Sequence, residues 1–175
     1  MAESFGDLDP KIDGRAEVEA EGMEFTGFHR LERDLWETGL QPDSAAMADR
    51  LLTDVTELVT RAKAVELNPL QLANGSKALL DEIATGKITG EEERYSHTDL
   101  WDFEANVEGS TAAIAALRPY LATADPALVA TIDERGKALS DLLETYREGD
   151  GFVLYTDLTP QDVKKLTTAL DAFSE

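Results

Sequence analysis

The feature that most constrains this chain is a long apolar pattern between Leu100 and Leu121. Apolar or small side chains recur there at alternating spacings of three and four residues, at Leu100, Phe103, Val107, Ser110, Ile114, Leu117 and Leu121. This spacing keeps one face of an α-helix apolar, and a face of this length needs other helices to cover it. The pattern therefore predicts an all-α fold, an antiparallel helical bundle.

Other segments carry helix signals of the same kind. A helix is expected over about residues 16–38, and another from Asp43 or Ser44 with an apolar face that reaches Val65. Three more should begin where a capping residue precedes proline, at Asn68-Pro69, Asp125-Pro126 and Thr159-Pro160. The chain thus predicts five or six helices with short connections.

The segments between these helices are expected to be irregular. Residues 1–15 mix glycine, proline and charge and predict an irregular lead-in. Phe152–Leu158 alternates weakly and predicts a short extended segment, although the sequence shows no obvious partner strand. We expect one domain over residues 1–175.

Charge and composition exclude several classes of function. The chain has 36 acidic and 16 basic side chains, a formal net charge of -20. That balance argues against binding to nucleic acid or to anionic lipid, both of which need clustered Lys and Arg. No cysteine is present, which excludes disulfides and thiolate metal sites. No stretch is long and apolar enough to insert into a membrane, and the N-terminus lacks the features of a signal peptide.

The sharpest chemical feature is a His-x-x-Glu pair, His29 and Glu32. Residues three apart share a helix face, so an imidazole nitrogen and a carboxylate oxygen could point at one ion. This pair of ligand types suits first-row transition metals such as iron or zinc. An ordinary hydrogen-bonded pair on a helix has the same spacing, and a tight metal site needs further donors.

Two other segments offer such donors. Tyr95–Phe103 holds the only other histidine, His97, and two aspartates three residues apart, Asp99 and Asp102. Ser96 and Asp99 also resemble a capping box at a helix start. Asp13 lies among carboxylates of the lead-in that could ligate a hard cation. The run of glutamates at residues 91–93 is most simply a solvated face.

Several blocks, in the same order along the chain, resemble the imelysin-like family, in particular its EfeO and EfeM branch of bacterial iron uptake components. They are Gly27–Trp36, which contains the His-x-x-Glu signature, Leu72–Glu82, Gly90–Gly109 and Phe152–Tyr155. The resemblance covers nearly the whole chain.

The resemblance implies an extracytoplasmic or periplasmic helical domain that binds a divalent or trivalent transition-metal ion, with iron favoured and zinc or copper as other choices. By this resemblance His29 and Glu32 are metal ligands, and Asp13 and Asp99 are the added donors. His97 is a weaker candidate. Other components of an iron uptake system, a permease and a haem peroxidase-type protein, are the implied partners.

The family domain normally begins with further helices before the segment that matches residues 3–10. The chain therefore resembles a form truncated at its N-terminus. An apolar face left open in this way predicts self-association.

Two alternative functions stay open. One is an imelysin-type metallopeptidase, although Glu32 is the nearest base and is already assigned as a ligand. The other is an interaction or polysaccharide-binding helical module that needs no metal. The resemblance favours binding over hydrolysis, so we do not expect an enzyme.

Overall fold

The structure of the protein is a computed structural model that describes residues 5–85 and 87–175. The chain divides into two units. The first comprises residues 5–66 together with Glu93–Ser96, and the second comprises Leu67–Glu92 and His97–Glu175. That residues 1–175 form one domain stays a prediction.

Within residues 9–66 the first unit includes the α-helices α1 (Asp9–Ile12), α2 (Phe28–Arg33) and α3 (Ser44–Lys63). Its apolar core is small. Leu8, Ile12 and Leu51 are buried together, with Leu31, Val55 and Leu58 packed against them. This cluster holds α1 against α3.

For residues 5–15 the expectation of an irregular lead-in is partly wrong, and residues 1–4 lie outside the described residues. Residues 9–12 form α1, with Pro10 in the first helical turn, where its missing N–H costs no hydrogen bond. Ile12 at the end of this helix is buried. Apolar burial at Leu8 and Ile12 therefore gives structure to a segment whose composition suggests none.

The expectation of a continuous helix over residues 16–38 is also wrong. Ala16–Glu21 forms a 3-10 helix that ends at Gly22, and α2 begins only after Gly27. Both glycines have positive φ angles, 80° and 88°, which a right-handed helix does not contain. After α2 the chain continues as a π-helical turn, Asp34–Thr38.

The second unit is a bundle of four longer helices, α4 (Pro69–Thr85), α5 (Asp99–Ala124), α6 (Pro126–Glu144) and α7 (Pro160–Ser174). Helix α5 packs against α4 and α6, and α7 packs against α6 and α4. The three proline start signals are confirmed. At α7, for example, the Asp162 backbone N–H donates to the Thr159 hydroxyl oxygen, and the Asp162 carboxylate accepts from the Thr159 backbone N–H.

The apolar face of α5 forms the centre of this bundle, as its spacing predicts. Phe103 and Leu100 are almost fully buried, and the core also contains Leu80, Ile83, Ile88, Val107, Leu139, Leu143, Phe152, Leu166, Leu170 and Phe173. The Ser76 and Ser110 hydroxyl oxygens are 2.7 Å apart where α4 meets α5. The predicted all-α helical bundle is confirmed.

A short β-hairpin joins α6 to α7 and corrects the expectation for residues 152–158. Strand β1 (Arg147–Glu148) pairs antiparallel with β2 (Gly151–Phe152). The partner strand follows closely after α6, which ends at Glu144. Gly149, with a φ of 60°, makes the tight turn between the strands.

Among the helices of residues 5–85 and 87–175, none has both the length and the apolar character that crossing a lipid bilayer requires.

Candidate metal centre

The position of α2 is fixed by a close backbone approach at Gly27. A Cβ atom at this residue would lie 2.2 Å from the carbonyl oxygen of Ile12. The Thr26 hydroxyl donates to the carbonyl of Lys11 at 3.1 Å. Since only glycine fits there, the start of α2 can lie against the end of α1. This contact brings Asp13, just after α1, to the histidine of α2.

His29 is 3% exposed, and its two ring nitrogens face different carboxylates. Nδ1 is 3.3 Å from Oε2 of Glu32, the residue three positions later on α2. Nε2 is 3.0 Å from Oδ1 of Asp13. His29 and Glu32 are therefore buried and in contact with each other, and Asp13 contacts the opposite edge of the ring.

Glu32 is held by a second stretch of chain in the same unit. Its Oε1 accepts hydrogen bonds from the backbone N–H of Tyr95 at 2.8 Å and of Ser96 at 2.7 Å. The Ser96 hydroxyl donates to the same oxygen at 2.9 Å. The expectation that Ser96 caps the next helix is wrong. Thr98 occupies the N-cap position of α5, and Ser96 donates to Glu32 instead.

Glu93 is the carboxylate that sequence reasoning missed. Its Oε1 lies 4.0 Å from Nδ1 of His29, and its side chain is 19% exposed. The interpretation of residues 91–93 as a solvated face is wrong for this residue. Three consecutive glutamates give no sign of which one turns inward. The inward direction of Glu93 follows from the position of the Glu93–Ser96 segment, which also supplies the hydrogen-bond donors to Glu32.

Asp99 lies in the second unit, where it is fully buried in the first turn of α5. Its Oδ1 accepts a hydrogen bond from the backbone N–H of Glu92 at 3.1 Å. The proposed role of Asp99 as a fourth ligand stays a prediction. His97, the weaker candidate, adopts a positive φ of 59°, and its carbonyl accepts a hydrogen bond from the Tyr155 N–H at 2.9 Å.

The electrostatics of this cluster favour the charged forms of His29 and Glu32. Burial lowers the pKa of His29, but the hydrogen bonds to Asp13 and Glu32 outweigh burial and raise that pKa from 6.5 to about 9. Burial raises the pKa of Glu32, yet the hydrogen bonds from His29 and from the Ser96 and Tyr95 N–H groups hold it well below 4.5. The ion-free cluster thus contains an imidazolium ion among carboxylates.

This arrangement predicts how the stability of metal-free protein depends on pH. The folded-state pKa of His29 is raised to about 9, so its stabilising effect is complete below about 6.5 and is lost as the pH rises through 9. We expect the free energy of unfolding, measured by urea denaturation with a chelator present, to fall between pH 6.5 and 9.5. In His29→Gln that fall should be absent. An equal fall in the variant would contradict the assignment.

A second buried network supports the helix that carries the pair. Arg30 forms an ion pair with Asp34, which is 1% exposed. The Ser44 hydroxyl at the start of α3 donates to Asp34 Oδ2 at 2.6 Å, and the Thr38 hydroxyl donates to Oδ1 at 3.3 Å. The π-helical turn therefore places Asp34 between α2 and α3. Such turns often occur at functional sites.

The His29, Glu32 and Glu93 side chains form a group with the dimensions of a metal site. Each offers one ligand atom, and the three atoms lie within 4.8 Å of one another. Two donors that each lie about 2.1 Å from one ion can be no more than about 4.2 Å apart. The separations from His29 Nδ1, 3.3 Å and 4.0 Å, already meet this limit. A transition-metal ion would therefore require only small movements.

Comparison with known proteins identifies the family of this chain. The model of the imelysin family, also termed peptidase M75, matches residues 3–175. Three relatives carry the name iron uptake system component EfeO, from Escherichia coli O157:H7, Escherichia coli K12 and Shigella flexneri. Each is 43% identical over the whole of this chain, which spans 48% of the relative, about half its length. The chain is a member of the imelysin family.

Proposed function

We propose that this chain binds a first-row transition-metal ion, iron in the first instance, for a bacterial iron uptake system. One observation carries the proposal: Oε2 of Glu32 and Oε1 of Glu93 both face Nδ1 of His29 in the first unit. The names of the relatives supply the choice of iron.

The charge of the cluster supports a divalent or trivalent ion. A bound metal requires the neutral imidazole, so the ion displaces the His29 proton. Asp13, Glu32 and Glu93 then leave three negative charges around the ion. Fe3+ balances these charges and Fe2+ leaves one in excess. One imidazole with carboxylates also suits zinc, and copper is a further choice.

Asp13 and Asp99 are included in this proposal on different grounds. Asp13 contacts Nε2 of His29, whereas Glu32 and Glu93 face Nδ1. One ion cannot bind both ring nitrogens, so Asp13 orients the imidazole when the ion lies at Nδ1, the carboxylate–histidine–metal arrangement. It is a direct ligand when the ion lies at Nε2. Asp99 as a further ligand rests on the family resemblance.

The hydrogen bonds that Glu32 accepts favour metal binding over peptide hydrolysis as the function. A general base must be able to accept a proton from water near the metal. Oε1 of Glu32 already accepts three hydrogen bonds, and Oε2 faces His29. The Glu32 carboxylate is therefore committed to these hydrogen bonds and to the ion.

The proposal includes a location outside the cytoplasm. It also includes two partners, a permease and a haem peroxidase-type protein.

Self-association is also part of the proposal, because the first unit exposes large apolar side chains beside its small core. Leu40, Leu52, Leu35 and Trp36 are examples, each more than half exposed. Light scattering on the purified chain measures its mass and tests this.

Calorimetric titration with Zn2+, and with Fe2+ under anaerobic conditions, tests the metal site. We expect one ion to bind each chain. Glu93→Gln removes one of three donors and should weaken binding by more than tenfold. Glu91→Gln, an exposed member of the same acidic run, is the matched control and should bind as the wild type does. Absence of binding to the wild type at millimolar ion would reject the function for this chain.

A further inference from the structure

We propose that Ser96 is a positioning residue that restricts Glu32 to one metal-binding oxygen and so tunes the site toward transition-metal ions. The inference deepens the proposed function and rests on it. Ser96 is 3% exposed, and it belongs to the same unit as His29 and Glu32. Nothing in the His-x-x-Glu spacing points to this residue.

The hydrogen bonds to Glu32 are divided unequally between its two oxygens. Oε1 accepts from the Tyr95 N–H, the Ser96 N–H and the Ser96 hydroxyl, at 2.8, 2.7 and 2.9 Å. A carboxylate oxygen has two lone pairs, so three donors saturate it. Oε2 faces His29 Nδ1 instead. Glu32 can therefore bind an ion through Oε2 alone.

A carboxylate restricted to one oxygen favours some ions over others. Ca2+ takes six to eight oxygen ligands and often uses both oxygens of one carboxylate. Zinc and similar ions have fewer ligands and need one oxygen from each carboxylate beside an imidazole. By saturating Oε1, the Tyr95–Ser96 segment disfavours the larger ion.

The Ser96 hydroxyl also lies near the third donor residue. Its Oγ is 3.5 Å from Oε2 of Glu93, while Oε1 of Glu93 faces His29. The hydroxyl has a single proton and donates it over the shorter distance, to Glu32. The hydroxyl therefore lies between the two carboxylates, and its hydrogen bond orients Glu32.

Titration with Co2+, whose visible absorption reports its ligands, tests this role. We expect Ser96→Ala to weaken Co2+ binding by about tenfold to a hundredfold, the usual effect of removing an outer-shell partner, and to change the Co2+ spectrum. Because the Tyr95 and Ser96 backbone N–H groups still occupy Oε1 in this variant, it should continue to bind Co2+ more tightly than Ca2+. Ser96→Thr keeps the hydroxyl and should restore the wild-type spectrum.

Ser110→Ala is the matched control, because Ser110 is also buried and hydrogen-bonded but lies in the second unit. It should lower the melting temperature of metal-free protein without changing Co2+ affinity. Wild-type affinity and spectrum in Ser96→Ala would overturn the inference alone. So would equal losses of affinity in Ser96→Ala and Ser110→Ala. Failure of the wild type to bind Co2+ would overturn the proposed function, and the inference with it.

Discussion

Replacing His29 with alanine is expected to abolish the stabilisation that a transition-metal ion confers on this chain. His29 supplies the only nitrogen in the group of three donors, and two carboxylates alone are a weak site for such an ion. An ion at a hundred times its dissociation constant stabilises the folded protein by about 2.7 kcal/mol. The wild-type melting temperature should therefore rise with Zn2+ or Fe2+, and that of His29→Ala should not change.

Two variants separate this result from a general loss of structure. His97→Asn replaces the other histidine with a residue that tolerates the positive φ at that position, and it should keep the metal-dependent rise. Asp13→Asn should weaken binding by about tenfold to a hundredfold if Asp13 orients the ring, and should abolish it if Asp13 is a ligand. If the melting temperature of His29→Ala rose with metal as much as that of the wild type, His29 would not be a metal ligand.

The helices could be predicted because their signals are local. The spacing from Leu100 to Leu121 and the capping residue before Pro160 act within a few turns of chain, and both predictions are confirmed. The predicted helix over residues 16–38 is wrong because Gly22 and Gly27 adopt positive φ angles. The positive φ angle of Gly27 accompanies its close approach to Ile12, and the spacing of apolar residues cannot predict such a contact.

The candidate site also contains residues that local spacing predicts and residues that it does not. His29 and Glu32 lie within one helical turn, so their spacing in the sequence is enough to predict that they are neighbours. Glu93 and Ser96 reach the pair from more than 60 positions further along the chain. Their approach depends on how the first unit packs, and no local pattern records it. Family resemblance marks their segment as a block, but not which side chains turn inward.

Replacing Asp34 with alanine is expected to produce a large loss of stability in the first unit. Arg30 and Asp34 form an ion pair in which the side chains are 11% and 1% exposed. Removing one partner leaves a buried charge without compensation, which costs about 3–5 kcal/mol. Ser44 and Thr38 also lose the carboxylate that accepts their hydrogen bonds. Urea denaturation measures the change in the free energy of unfolding.

Asp43 provides the matched control, because its Oδ1 lies 3.7 Å from Nη2 of the same arginine but its side chain is 62% exposed. Asp43→Ala should lose less than about 1 kcal/mol, as exposed ion pairs do. The double variant Arg30→Met with Asp34→Leu removes both charges and should recover most of the stability. Because Arg30 lies next to His29 on α2, Asp34→Ala should also weaken metal binding, and the double variant should restore it. Equal effects of Asp34→Ala and Asp43→Ala would show that burial does not set the strength of this pair.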